Sequence, residues 1–274
     1  MKNGRHHPPF VIRLFGNLSR LASKSYSQPT AAWNLPHGES MNKEKFKFPS
    51  KGFHIVSKKV GETDYFLEKL KSVQGHYDEF SYILSAFSSA ARSITFAFQS
   101  VMSAYPGFSD WYVHHQESLR SNALAKYFVN LRNHMQKVGK SPVLHTGESR
   151  SGRITLASYF IDMDELKNAP DGEVTVLAEE YFTSILIVLE RCYRDFWVYV
   201  DPRAIFTEEG LSMLGWSVED IEELVGLPRG WTDVPYEGED KNLQRLRLLR
   251  REFEGDELME QYFTKYKIPQ SQRS

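Results

Sequence analysis

The chain has 274 residues, 41% hydrophobic and 14% aromatic, enough to enclose a sizeable core in one large domain or one domain with appendages. A net charge of −1 gives no global attraction to nucleic acid, so any such binding must come from a local patch. One cysteine excludes an intrachain disulfide and a cysteine-based zinc site, and runs such as ILIVL (185–189) are far too short to span a bilayer, which together fit a reducing, cytoplasmic setting.

Residues 1–40 carry Lys2, Arg5, Arg13, Arg20 and Lys24 and no acid before Glu39. Three readings stand: a disordered leader, an Arg- and Ser-rich targeting segment over 10–25, or an artefact of start choice with translation beginning at Met41. The folded part is expected from 41, with FKFPSKGFHIVSKKV (46–60) as a strand or extended piece. Thr63 or Asp64 then caps a first helix to Val73, with Tyr65, Phe66 and Leu70 as its apolar side.

From 76 to about 103, Tyr77, Phe80, Leu84, Phe87, Ala91, Ile94, Phe98 and Val101 recur at alternating spacings of three and four. That is one helical seam, and the helix is roughly 40 Å long, a length that suits an antiparallel bundle. A second line on it, Ser85, Ser89, Arg92 and Gln99, would let another helix approach. Arg92 is either half of a surface ion pair or a phosphate contact near Arg132.

YPGFSD (105–110) reads as a turn, with Ser109 capping a short helix, and Asn122 caps the next. There Leu124, Phe128, Leu131, Met135 and Val138 form the buried stripe, and Gly139 ends it. Residues 140–172 change character and predict a hairpin, one strand near 142–146 and another near 153–161. A helix over about 174–199, apolar around much of its girth, belongs at the centre of the bundle. The extension 203–274 holds shorter helices: SVED (217–220) is a capping-box pattern, and KNLQRLRLLRREF (241–253) is basic and amphipathic. The last ten or so residues look frayed.

No Walker A loop, GxGxxG, HExxH, GxSxG or CxxC occurs, so no cofactor is expected. His114 and His115 point to different faces of a helix and make no metal clip. Cys192 lies in an apolar line and reads as a small core residue. Asp162, Asp164 and Glu165 read as a solvated loop. The basic helix at 241–253 reads as a solvated face, and a helix-turn-helix over 217–231 lacks a recognition helix.

DEFSYILSAFSSAARSITFAFQ, then FSDWYVHHQESLRSNALAKYFVNLRN, together with the helix at 174–200, resemble bacterial members of the HEPN superfamily. The likeness covers somewhat over a third of the chain. It implies a mainly α fold: an antiparallel HEPN-like helical bundle (41–202) with a small β-hairpin insertion and a helical C-terminal extension. It also implies pairing of two such helices in a homodimer, and an Arg-polar-His motif acting on RNA. Arg132 and Asn133 match that motif. The expected His is missing: Lys137, Val138 and Gly139 stand in its place. Lys137 can neutralise a phosphate but is a poor base at neutral pH. His134 lies roughly 200° round the helix from Arg132.

The expectation is therefore a non-catalytic bundle that dimerises and binds RNA or a protein partner, with Arg92, Arg132 and Lys137 as phosphate contacts. The alternative is a metal-independent endoribonuclease built on Arg132 and Asn133 with His134, His145 or Lys137. A third reading is a plain protein-interaction module.

Overall fold

The computed structural model describes residues 49–150, 153–201, 203–235, 240–251 and 258–269. The segment 1–40 and the start of the expected extended piece lie outside them. Ten α-helices and one two-stranded sheet make up the described residues, so the fold is mainly helical with a small hairpin and a helical C-terminal region.

Helix α1 spans Pro49–Ser72 as one uninterrupted element, which corrects both the extended piece and the cap at Thr63 or Asp64. Proline fits a first helical turn because its missing N–H has no partner there in any case. The buried stripe runs Phe53, Val56, Val60, Leu67, Leu70, with Thr63 inside it. The Thr63 hydroxyl donates to the Lys59 carbonyl at 2.8 Å, so it is satisfied within the helix rather than capping one. Tyr65 is 63% exposed and is not part of the core side. Gly61 sits mid-helix for a packing reason: a Cβ there would meet the Tyr262 hydroxyl at 3.0 Å.

Helix α2 spans Tyr77–Met102 and buries the expected seam from Phe80 to Phe98, closing on Met102 instead of Val101. It packs along α1 for much of its length. Helix α3, Phe108–Ser121, starts one residue before Ser109, with Gly107 at its N-cap and no side-chain cap. Helix α4, Ala123–Val138, begins as expected: Asn122 Oδ1 accepts the Ala125 N–H at 3.0 Å. It ends at Gly139, whose φ of 72° is cheap only for a residue without Cβ.

Strands β1 (Val143–Arg150) and β2 (Arg153–Phe160) form an antiparallel hairpin in which Val143 faces Phe160. Helix α5, Val174–Asp195, is central: thirteen of its residues are buried. The short α6, Trp197–Val200, follows it.

The aromatic core joins these helices. Phe98 meets Phe108, Trp111 and Tyr112 edge-on, and Phe128 stacks on Tyr181 at 4.6 Å. After a 3-10 turn at Ala204–Phe206 come α7 (Glu208–Leu214), α8 (Val218–Leu224), α9 (Lys241–Arg251) and α10 (Leu258–Lys265). The C-terminal end is not frayed as far as Pro269. Lys265 pairs with Asp64 at 2.6 Å and with Glu68 at 3.3 Å. The Tyr266 hydroxyl bonds Asp64, and Phe263 packs against Tyr193.

Candidate functional site

Of the expected site residues, Arg132, Asn133, His134 and Lys137 lie on α4, Arg92 on α2 and His145 on β1. Arg132 Nη1 donates to Asn133 Oδ1 at 3.1 Å, and its Nε is buried without a partner. Phe128 and Gln136, one turn on either side, both contact α2: the Phe87 and Phe128 rings are 6.0 Å apart, and Gln136 Nε2 donates to Ser89 Oγ at 3.3 Å. Arg132 therefore faces the same stretch of α2, where Ser85 and Ser89 keep the helix surface low.

Arg92 lies one turn beyond Ser89. It makes no ion pair among the described residues. Its Nη1 donates to Thr95 Oγ1 at 3.1 Å, and the guanidinium rests 4.4 Å above the Phe96 ring, which is 53% exposed. A third arginine, Arg120, is exposed on α3. Burial raises the Tyr112 phenol, and both Arg92 and Arg120 act against that rise. Burial likewise pushes Tyr181 up to about 12, with Arg92 again opposing it. Tyr181 in turn stacks on Phe128, the residue one turn before Arg132. Arg92 on α2 and Arg132 on α4 thus border the seam between those helices, Arg120 is exposed on α3, and none of the three is neutralised by a carboxylate among the described residues. Arg120 was not singled out in the sequence; its signal was the i, i+4, i+8 line Tyr112, Gln116, Arg120 on α3.

The remaining expected residues go elsewhere. His134 is 5% exposed, on the opposite flank of α4, with both ring nitrogens lacking a partner. It shares that flank with Tyr127, whose phenol burial pushes well above its ordinary value. Lys137 is exposed, but five residues on from Arg132 it points roughly 140° away. His145 is fixed on the hairpin: it stacks on Tyr77 at 4.5 Å, meets Phe80 edge-on, and its Nδ1 lies 2.8 Å from Ser158 Oγ. Phe80 precedes Ser89 by nine residues, about 13 Å along α2. Arg132, His134, Lys137 and His145 therefore do not converge on one reacting atom.

Other candidates are accounted for as structure. Cys192 is fully buried and its thiol is raised well above the ordinary value. His115 is buried beside Trp111, with Nδ1 3.5 Å from Arg191 Nη1. Burial, then the Arg191 charge, lowers it to about 4. His114 is exposed. Asp162 accepts the Ala169 N–H at 2.8 Å, Asp164 pairs loosely with Lys167, and Glu165 is exposed. No group of three or more potential metal ligands occurs among the described residues.

The basic helix α9 is not a solvated face throughout. Arg245 is 4% exposed and is buried against Glu219 at 2.7 Å and Glu222 at 3.1 Å.

Residues 53–191, about half of the chain, match the family model described as bacteriophage lambda protein ea47. The chain belongs to the ea47 family. The match begins in α1 and ends in α5, so the three arginines lie inside the family region and α7–α10 lie beyond it. Comparison with curated proteins and with solved structures returns no match. No helix among the described residues is long and apolar enough to cross a membrane.

Proposed function

We propose that this ea47-family chain works by binding rather than by catalysis, and that its ligand is RNA held by Arg92 and Arg132 at the seam between α2 and α4 and by Arg120 on α3. The observation that carries this reading is the set of three arginines without carboxylate partners among the described residues. Guanidinium groups match phosphate oxygens with paired donors, and an exposed ring such as Phe96 offers a base a stacking surface.

The endoribonuclease reading is weaker for a geometric reason. A general acid–base group must reach the proton it moves. His134 is buried on the far flank, and His145 is engaged at the other end of α2. The HEPN likeness supports the same site through Arg132 and Asn133, whereas the ea47 match is silent on ligand.

The test uses the whole chain, wild type beside Arg132→Ala and Arg92→Ala, with a labelled single-stranded RNA in EDTA. Binding is expected to be salt-sensitive, and each substitution is expected to lower the log–log salt slope by about 0.7. The RNA should stay intact. Arg132-dependent cleavage would put the enzyme reading first. Binding unchanged by either substitution would leave the protein-interaction reading.

A further inference from the structure

The sequence holds no acid from Phe80 to Ser109, and none from Ser118 to Gly147. Beyond its first turn, where Asp78 and Glu79 stand, α2 therefore carries a single charge, Arg92. Helix α4 carries Lys126, Arg132 and Lys137 and no carboxylate. The two helices meet where Gln136 donates to Ser89 at 3.3 Å. A polyanion lying along this seam is attracted by both helices and repelled by neither.

The same side of α2 holds two rings in water. Tyr82 is 71% exposed and meets no other ring among the described residues, and Phe96 is half exposed. They stand fourteen residues apart with Ser89 midway, so all three side chains leave the helix within about 40° of one another and the rings are separated by about 21 Å along the axis. The Arg92 guanidinium covers one face of Phe96, which sets a cation beside a stacking surface. That pairing suits a nucleotide, whose phosphate and base are contacted together. Between the rings the stripe is Ser85, Ala86, Ser89 and Ser93, small and mostly polar, whereas the centre of a protein interface is rich in large apolar side chains.

We infer that this stripe takes a single strand of RNA and rejects a duplex, with unpaired bases stacked on Tyr82 and Phe96 and the phosphates between them drawn to Arg92 and Arg132. The inference rests on the RNA reading above and narrows it to one class of RNA. In a duplex the bases are paired and stacked on one another, so neither ring finds a free base face. The distance between the rings spans about six nucleotides at the ~3.4 Å rise of a stacked strand, and fewer in an extended one.

The experiment is fluorescence anisotropy of the full chain with a labelled, unstructured RNA of about ten nucleotides, alone and annealed to its complement. The single strand should bind at least about tenfold more tightly than the duplex. Tyr82→Ala and Phe96→Leu should each weaken single-strand binding roughly tenfold, and Tyr82→Phe, which keeps the ring, should bind as wild type. Neither ring variant removes a charge, so the salt slope should stay as in wild type, unlike that of Arg132→Ala. Far-UV circular dichroism confirms that the variants are folded. Equal binding of duplex and single strand, or undiminished binding by both ring variants, overturns this inference while an Arg132-dependent salt slope keeps the RNA reading. No binding of any RNA by wild type overturns both. Sedimentation velocity covers the other occupant: self-association lost in Tyr82→Ala with RNA binding untouched makes the stripe a contact between copies and also overturns the inference.

Discussion

The helical bundle up to residue 200 and the α8–α9 region beyond it are held together by different physics. Around α2, α3 and α5 the interior is aromatic and dry: Phe80, Phe87, Phe98, Phe108, Trp111, Phe128 and Phe182 are almost wholly buried. Between α8 and α9 the interior is ionic: Glu222 and Arg245 are nearly inaccessible, and Thr232 links them. Apolar burial is non-directional, so an aromatic core tolerates small shifts. A buried ion pair pays heavy desolvation and persists only where several hydrogen bonds satisfy it. The second kind of interior fixes a particular loop geometry, and here that geometry is the turn through Gly230 and Thr232, whose N–H groups both donate to Glu222.

The sharpest way to break this comparison is to remove one side of the ion pair. Arg245→Ala leaves Glu222 buried without its cation and should lower stability by about 3–5 kcal/mol. Replacing both, Glu222→Gln with Arg245→Met, removes the charge from each side while the Gln carbonyl can still accept from Gly230 or Thr232, and should recover much of that loss in urea unfolding. If the double variant is as unstable as the single one, packing rather than charge holds the region. Phe87→Ala tests the other interior, with an expected loss of about 3–5 kcal/mol and no partner substitution that restores it.

Acid titration separates the two regions in a second way. His115 has its pKa lowered from 6.5 to about 4, so the unfolded chain binds the proton first as pH falls. Stability is therefore full above the unfolded value and declines between about pH 6.5 and 4, by an amount on the order of 2 kcal/mol. His115→Gln should flatten the unfolding free energy across that window. Burial pushes the Glu222 carboxyl up, but Thr232, Arg245 and Gly230 together hold it down at about 2. Its contribution is present above pH 4.5 and is lost as pH falls from there toward about 2. Glu222→Gln should remove that lower step and leave the upper one.

Smaller effects sit at the surface of the bundle. Asn122→Ala removes the side-chain cap of α4 and should cost about 1 kcal/mol in thermal or urea unfolding. Arg132→Ala should change stability by no more than about 0.5 kcal/mol, because the side chain bonds only its neighbour Asn133 among the described residues. A larger loss would mean that Arg132 is a structural group, and the RNA reading would lose its support.

Where the sequence was legible, a local rule operated. The seam of α2 follows the helical period, Asn122 and Gly139 bound α4 by capping chemistry, and Cys192 falls in a continuous apolar line. The start of α1 falls in the piece expected to be extended, FKFPSKGFHIVSKKV, although Pro49 lies in the first helical turn and Gly61 is accommodated against Tyr262. Thr63 looked like a cap because a hydroxyl can satisfy a backbone group from either place. Arg245 looked solvated because five cations share one short helix and no pattern within it tells which of them turns inward.

The sequence by itself determined the helical periods, the caps, the hairpin and the absence of cofactor motifs, since each depends on residues a few positions apart. Only the tertiary structure decided which polar groups meet. Gln136 reaches Ser89 across 47 residues, His134 turns away from Arg132, and Arg245 finds Glu222 across 23 residues. Those pairings depend on how whole elements cross, and a charge reveals its partner only after the chain has brought the two within a few ångströms.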